Sequence, residues 1–306
     1  MTKSEAKVRR AAMAALAALA VASAATAFPA QGTPNTGQVR EGLHFASAIL
    51  GKDVNYAVYL PSDYETSTRR YPVVYLLHGL TGNESDWIQS GEVNLAADRA
   101  IAEREIPPMI IVMPDAGNTW YVNDYQNKVR YEDMFVQEFI PHIDATLRTR
   151  PVREFRGISG LSMGGWGTLM FAMKHPELFS ACAAFSAGVW TDEGFTAMDQ
   201  KAYEAVVGAI FGPQLAGRDR LTPHFRSNSP LELAKTASEA SLKRVRYYID
   251  CGDDDFLTGG NCALHLILRE RKIPHEFRVR DGGHTWSYWR TGIVDGLKFI
   301  GQSFHH

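Results

Sequence analysis

The sequence predicts an α/β fold: one mostly parallel, doubly wound central sheet with helices on both faces. Short, nearly continuous apolar runs recur along the chain, the pattern of strands buried on both sides. From about residue 71 these runs alternate with longer segments whose apolar residues return at helical spacing, the order expected of a parallel sheet wrapped by helices.

The strand-length runs are HFASAIL (44–50), NYAVYLP (55–61), YPVVYLLHG (71–79), PMIIVMP (108–114), FRGIS (155–159), SACAAFS (180–186), VRYYIDC (245–251) and HEFRVR (275–280). Between them, YEDMFVQEFIPHIDATLRT (131–149) sets Met134, Phe135, Phe139, Ile143 and Leu147 on one helical face. GWGTLMFAMKH (165–175) stops at Pro176 with Lys174 and His175 in its last turn, a helix end. NCALHLILRERK (261–272) and WRTGIVDGLKFIGQ (289–302) complete the helical series. The stretch 189–236 breaks the alternation with aromatics, glycines and prolines, and we expect a lid-like insertion that caps the sheet. No internal repeat or long linker divides residues 28–306, which read as a single domain.

At 306 residues, 45% hydrophobic and 22% charged, the chain is neither disordered nor fibrous. Its first 27 residues differ from the rest: Lys3, Lys7, Arg9 and Arg10 precede the alanine-rich run Ala11–Ala22 and the small residues Ala25-Thr26-Ala27. That order predicts a cleaved signal peptide and a periplasmic or extracellular mature protein. The run is short and mostly alanine, whereas a span needs about 20 strongly apolar residues, so no stable membrane insertion is expected after cleavage. The remainder is mildly acidic and has no basic run, which argues against a nucleic-acid partner. Of the three cysteines, Cys251 and Cys262 flank one loop and are the expected pair for a disulfide, and none has zinc-site spacing.

GISGLSMGGWG (157–167) sets Ser162 between Gly160 and Gly164, at the junction of a short strand and a helix. A sharp strand-to-helix turn exposes the serine in a strained conformation and requires small residues two positions away on either side. The N–H groups of the helix that starts there point at any negative charge formed at the serine. Such a serine needs a base, and a fold of this type supplies its partners in the chain order serine, acid, histidine. His284 alone follows the last strand in a flexible loop, DGGHTWSYW (281–289). The acid belongs in YYIDCGDDDFL (247–257), where Asp253, Asp254 and Asp255 are the loop candidates. Two backbone N–H groups, those of Leu80 and Met163, would receive an oxyanion. His78, beside Leu80, is expected to shape that loop.

Together, YLLHGLTGNESDW (75–87), IVMPDAGNTWYVN (111–123), GLSMGGWG (160–167), DCGDDDFL (250–257) and GGHTWSYW (282–289) resemble the esterase D type of α/β-hydrolase. That group includes tributyrin esterases, S-formylglutathione hydrolases, feruloyl esterase modules and mycolyltransferases. The resemblance runs from about residue 40 to 302 in the family's order and implies the α/β-hydrolase fold. It implies Asp255, just before Phe256, as the acid, with Asp254 as the fallback. The implied chemistry is hydrolysis of short-chain acyl or polysaccharide-linked acetyl or feruloyl esters, with no metal or other cofactor. Transfer of the acyl group to a sugar or lipid hydroxyl is the alternative. Trp87, Trp120, Tyr121, Trp190 and Trp286 are candidate pocket residues.

Overall fold

The computed structural model describes residues 36–305. The expected signal segment lies outside them. Eight strands form one sheet: β1 Gln38–Ser47, β2 Lys52–Leu60, β3 Val73–Leu77, β4 Ile110–Pro114, β5 Arg156–Leu161, β6 Ala181–Phe185, β7 Arg246–Gly252 and β8 His275–Arg280. Their order is β1-β2-β4-β3-β5-β6-β7-β8. β1 and β2 pair antiparallel, as do β2 and β4, and every later pairing is parallel.

β3, β4 and β6 are buried at every residue, which explains their unbroken apolar runs. Alternate side chains serve two cores. Val73, Tyr75 and Leu77 join one core with Phe135, Phe139, Met170 and Leu264, from helical segments on one face. Val74 and Leu76 join the other with Ala97, Ile293, Leu297 and Ile300, from the helices Val93–Ala102 and Trp286–Gly301. The segment 131–146 is helical throughout, with a π-helical turn at Phe135–Phe139 between Tyr131–Met134 and Ile140–Thr146. No helix among the described residues is long and apolar enough to cross a membrane.

The first strand is displaced from its expected place. Apolar Ile49 and Leu50 lie in the hairpin turn, where the Glu138 carboxylate accepts from the Ile49 N–H (3.1 Å) and the Ser47 hydroxyl (2.6 Å). β1 instead begins in the polar sequence QVREG, because an edge strand with mostly solvated side chains carries little apolar signal. The helix Val93–Ala102, which the apolar spacing did not single out, is alanine-rich on its buried face.

The expected Cys251–Cys262 disulfide is absent; all three cysteines are free thiols. Cys251 is buried on β7 and its Sγ lies 3.6 Å from Thr258 Oγ1. Burial pushes this thiol up to about 12, which suppresses the thiolate that oxidation requires.

At the C-terminal end of β7, Asp250 is wholly buried. Arg280 of β8 forks onto both its oxygens (2.9 and 3.0 Å), and the hydroxyls of Tyr248 and Tyr288 donate to it as well. This cluster fastens two strands and the last helix beneath the loops that follow them.

Arg280→Ala would leave a buried carboxylate without its counter-ion and should cost about 3–5 kcal/mol of stability in denaturant unfolding; a loss below about 1 kcal/mol, as for an exposed pair, would contradict this role. Alkylation of the unfolded, unreduced protein should modify three thiols; a single modified thiol would restore the bridge.

Candidate active site

Ser162 occupies the turn between β5 and the helix Met163–Lys174 with φ 54° and ψ −117°, a conformation that L residues rarely adopt. Three backbone hydrogen bonds fix it. Its N–H donates to the Phe185 carbonyl (2.9 Å), and its carbonyl accepts from Trp166 (3.0 Å) and Gly188 (2.9 Å). The flanking glycines are sterically required. A Cβ on Gly160 would lie 2.6 Å from the Gly164 carbonyl oxygen, and one on Gly164 would lie 2.4 Å from that of Leu77.

Ser162, His284 and Asp255 form a continuous hydrogen-bonded chain. His284 Nε2 is 2.9 Å from Ser162 Oγ, and His284 Nδ1 is 2.8 Å from Asp255 Oδ2. The Asp255 side chain is completely buried and the imidazole 22% exposed, so the chain runs from the interior to the surface. Burial alone would raise the Asp255 pKa, but hydrogen bonds from His284, the Leu257 N–H (2.9 Å) and Ser186 outweigh it and hold the carboxyl below its usual range. An ionised carboxylate there fixes the proton on Nδ1 and leaves Nε2 free to accept from the serine.

Asp254, the fallback acid, does not face His284. Its N–H donates to the Gly282 carbonyl (3.1 Å) and the residue is exposed. Asp253 accepts from the Gly282 N–H (3.0 Å), so this pair of residues stitches the acid-bearing loop to the histidine-bearing loop. His265 and His275, further along the chain than the serine, bond to each other instead (2.8 Å).

The loop after β3 lies against the serine. A Cβ on Gly79 would come 3.6 Å from Ser162 Cβ. The Leu80 N–H has no hydrogen-bond partner among the described residues. Met163 is the first residue of its helix, so its N–H has no helical acceptor. His78 shapes this loop, as expected. Its Nε2 accepts from the Ala116 N–H (2.9 Å), so Nδ1 carries the proton and donates to the Gly79 carbonyl (2.7 Å).

Two clefts meet at Ser162, and Leu80, Ser162 and Phe256 line both. One, of about 450 Å³, also has His284, Thr81, Asp86, Thr285, Trp286 and Trp289 in its walls. The other, of about 460 Å³, is more apolar, with Trp120, Trp190, Met198, Val206 and Leu257. Gly194, Ala197, Met198, Ala202 and Val206 come from the segment 189–236, whose short helices therefore border the serine.

Of the candidate pocket aromatics, Trp120, Trp190 and Trp286 line a cleft. Trp87 and Tyr121 do not. Trp87 is a core side chain whose indole N–H donates to the Leu77 carbonyl (2.9 Å), and the wholly buried Tyr121 hydroxyl donates to the carbonyl of His78 (3.0 Å). Both support the loop after β3 from behind. Sequence reasoning missed Phe256 and Trp289, whose rings pack against the His284 imidazole at 4.7 and 4.8 Å between centroids. Their positions beside Asp255 and one helical turn after Trp286 were the available signals.

A profile of the family described as "Putative esterase" matches residues 47–300. An esterase of Mycobacterium tuberculosis is 28% identical over 262 residues, 79% of this chain and 55% of that protein, so the chain spans about half its length. An acetyl esterase of Caldicellulosiruptor saccharolyticus is 25% identical, over 85% of this chain and 97% of its own. Among solved structures, a ferulic acid esterase is 33% identical with a TM-score of 0.76, covering 88% of this chain and 99% of its own.

The geometry predicts that a fluorophosphonate labels Ser162 and that His284→Ala slows labelling by about 10²–10⁴-fold, the usual contribution of a positioned base. Undiminished labelling in that variant would detach the imidazole from the serine's reactivity.

Proposed function

The chain belongs to the esterase family matched over residues 47–300, and on that premise we propose that it is an exported serine carboxylesterase acting on short-chain acyl or polysaccharide-linked acetyl or feruloyl esters. The hydrogen-bonded chain Asp255–His284–Ser162 at the junction of two clefts carries the reading. As Ser162 Oγ attacks the ester carbonyl, its proton passes to His284 Nε2, and the ionised Asp255 stabilises the resulting imidazolium. The oxyanion is received by the Leu80 and Met163 N–H groups, the first without a protein acceptor among the described residues and the second at a helix start. The tetrahedral adduct collapses, the C–O bond to the alcohol breaks, and His284 returns the proton to the departing oxygen. Water then attacks the acyl-serine by the same route and regenerates Ser162.

Because the leaving oxygen takes its proton from His284, the alcohol portion belongs in the cleft that His284 borders, where Thr81, Asp86 and Thr285 offer polar contacts. The acyl portion then occupies the apolar cleft under the 189–236 segment, which acts as a cap. Aromatic walls and a volume of about 460 Å³ suit a phenylpropenoyl group as well as a short aliphatic one. The likeness to a ferulic acid esterase and an acetyl esterase supports these acyl classes. Action outside the cytoplasm is supported by the basic residues Lys3 to Arg10 followed by the alanine-rich run.

Nitrophenyl esters of graded chain length, with feruloyl and acetyl-xylan substrates, test the proposal. Turnover should fall at least about 10³-fold in Ser162→Ala. Comparable turnover in that variant would overturn it. A wild-type protein that labels at Ser162 yet hydrolyses none of the panel would instead support acyl transfer to another hydroxyl.

A further inference from the structure

We propose that Phe256 is a specificity-determining residue, an apolar lip over the acyl cleft that favours acyl groups with a hydrophobic body over acetyl. The inference rests on the ester-hydrolase reading above and deepens it.

Phe256 stands between two buried residues, Asp255 and Leu257, and is itself 78% exposed. It is the most exposed large apolar side chain among the described residues, and the others in that class do not border Ser162. Loop freedom does not account for this exposure. The Leu257 N–H donates to Asp255 Oδ1 (2.9 Å) and the Thr258 N–H to the Asp255 carbonyl (3.0 Å), so the backbone on either side is tied to the buried acid. The same turn that drives Asp255 inward to His284 therefore drives the Phe256 ring outward.

The ring does not face solvent at random. It packs at 4.7 Å from the His284 imidazole and borders both clefts where they meet at the serine. Apolar area left uncovered in folding is free to be covered by a ligand, and its removal from water then adds to binding. An acetyl group offers one methyl beyond the carbonyl and little surface to place against the lip. A butyryl or phenylpropenoyl group extends along the cleft that Phe256 lines together with Trp120 and Trp190.

Competition between nitrophenyl butyrate and nitrophenyl acetate gives the ratio of their kcat/KM values directly. That ratio should fall about tenfold in Phe256→Ala, as loss of part of one buried aromatic face implies, and Phe256→Leu should recover part of it. Thermal unfolding checks that both variants are folded. An unchanged ratio would overturn the proposal while leaving the esterase reading intact. Equal losses on both esters with a shifted pH profile would also overturn it, because Phe256 would then act through His284. A wild-type protein that hydrolyses neither ester would overturn the esterase reading itself.

Discussion

The strained turn at Ser162 ties β5, the helix that follows it and the two loops beside it into one geometry. Holding a serine at φ 54° and ψ −117° costs about 1–3 kcal/mol for a strained residue of this kind. That conformation persists because β5 and the helical residues 163–173 are buried and close on each other through Gly160 and Gly164. The strain lifts Oγ out of the sheet toward His284. It also aims the first N–H groups of the helix at the place where an oxyanion would form. Neither effect survives a side chain at the flanking positions, since each would meet backbone rather than a movable side chain.

Two aspartates five residues apart show how burial and hydrogen bonding separate structure from chemistry. Asp250 is saturated by Arg280 and two tyrosine hydroxyls, and this network locks β7, β8 and the last helix together. Asp255 spends one oxygen on the Leu257 N–H and offers the other to His284. The first network sets the height of two loops. The second uses that height to bring residues 122 positions apart in the chain within a hydrogen bond of each other.

Much of this was legible in the sequence, for physical reasons. Strands buried on both faces write apolar runs, and β3, β4, β6 and β7 lie nearly where those runs place them; β8, an edge strand with no buried residue, is legible instead from its short run between a helix and the glycine loop. The edge strand β1 was misplaced because its polar face resembles a loop. The serine turn announced itself through a steric requirement that only glycine satisfies, and His284 through its place after the last strand. The acid could not be chosen from spacing alone. Asp253, Asp254 and Asp255 differ in direction rather than type, and one residue of register decides which is buried against the histidine. Aromatic identity was a weak guide for a similar reason. Trp87 and Tyr121 use their polar atoms to brace the loop after β3, whereas Phe256 lines the clefts from a turn that holds it outward.

The proposed mechanism sets the ester with its acyl group under the 189–236 segment and its alcohol beside His284. A crystal structure of the enzyme phosphonylated at Ser162 by an alkyl- or arylphosphonate would reveal that orientation. The hydrocarbon arm should lie in the apolar cleft against Trp120, Trp190 and Met198, with the phosphonyl oxygen at the Leu80 and Met163 N–H groups. An arm lying instead beside Thr285 and Trp286, with the apolar cleft empty, would contradict it.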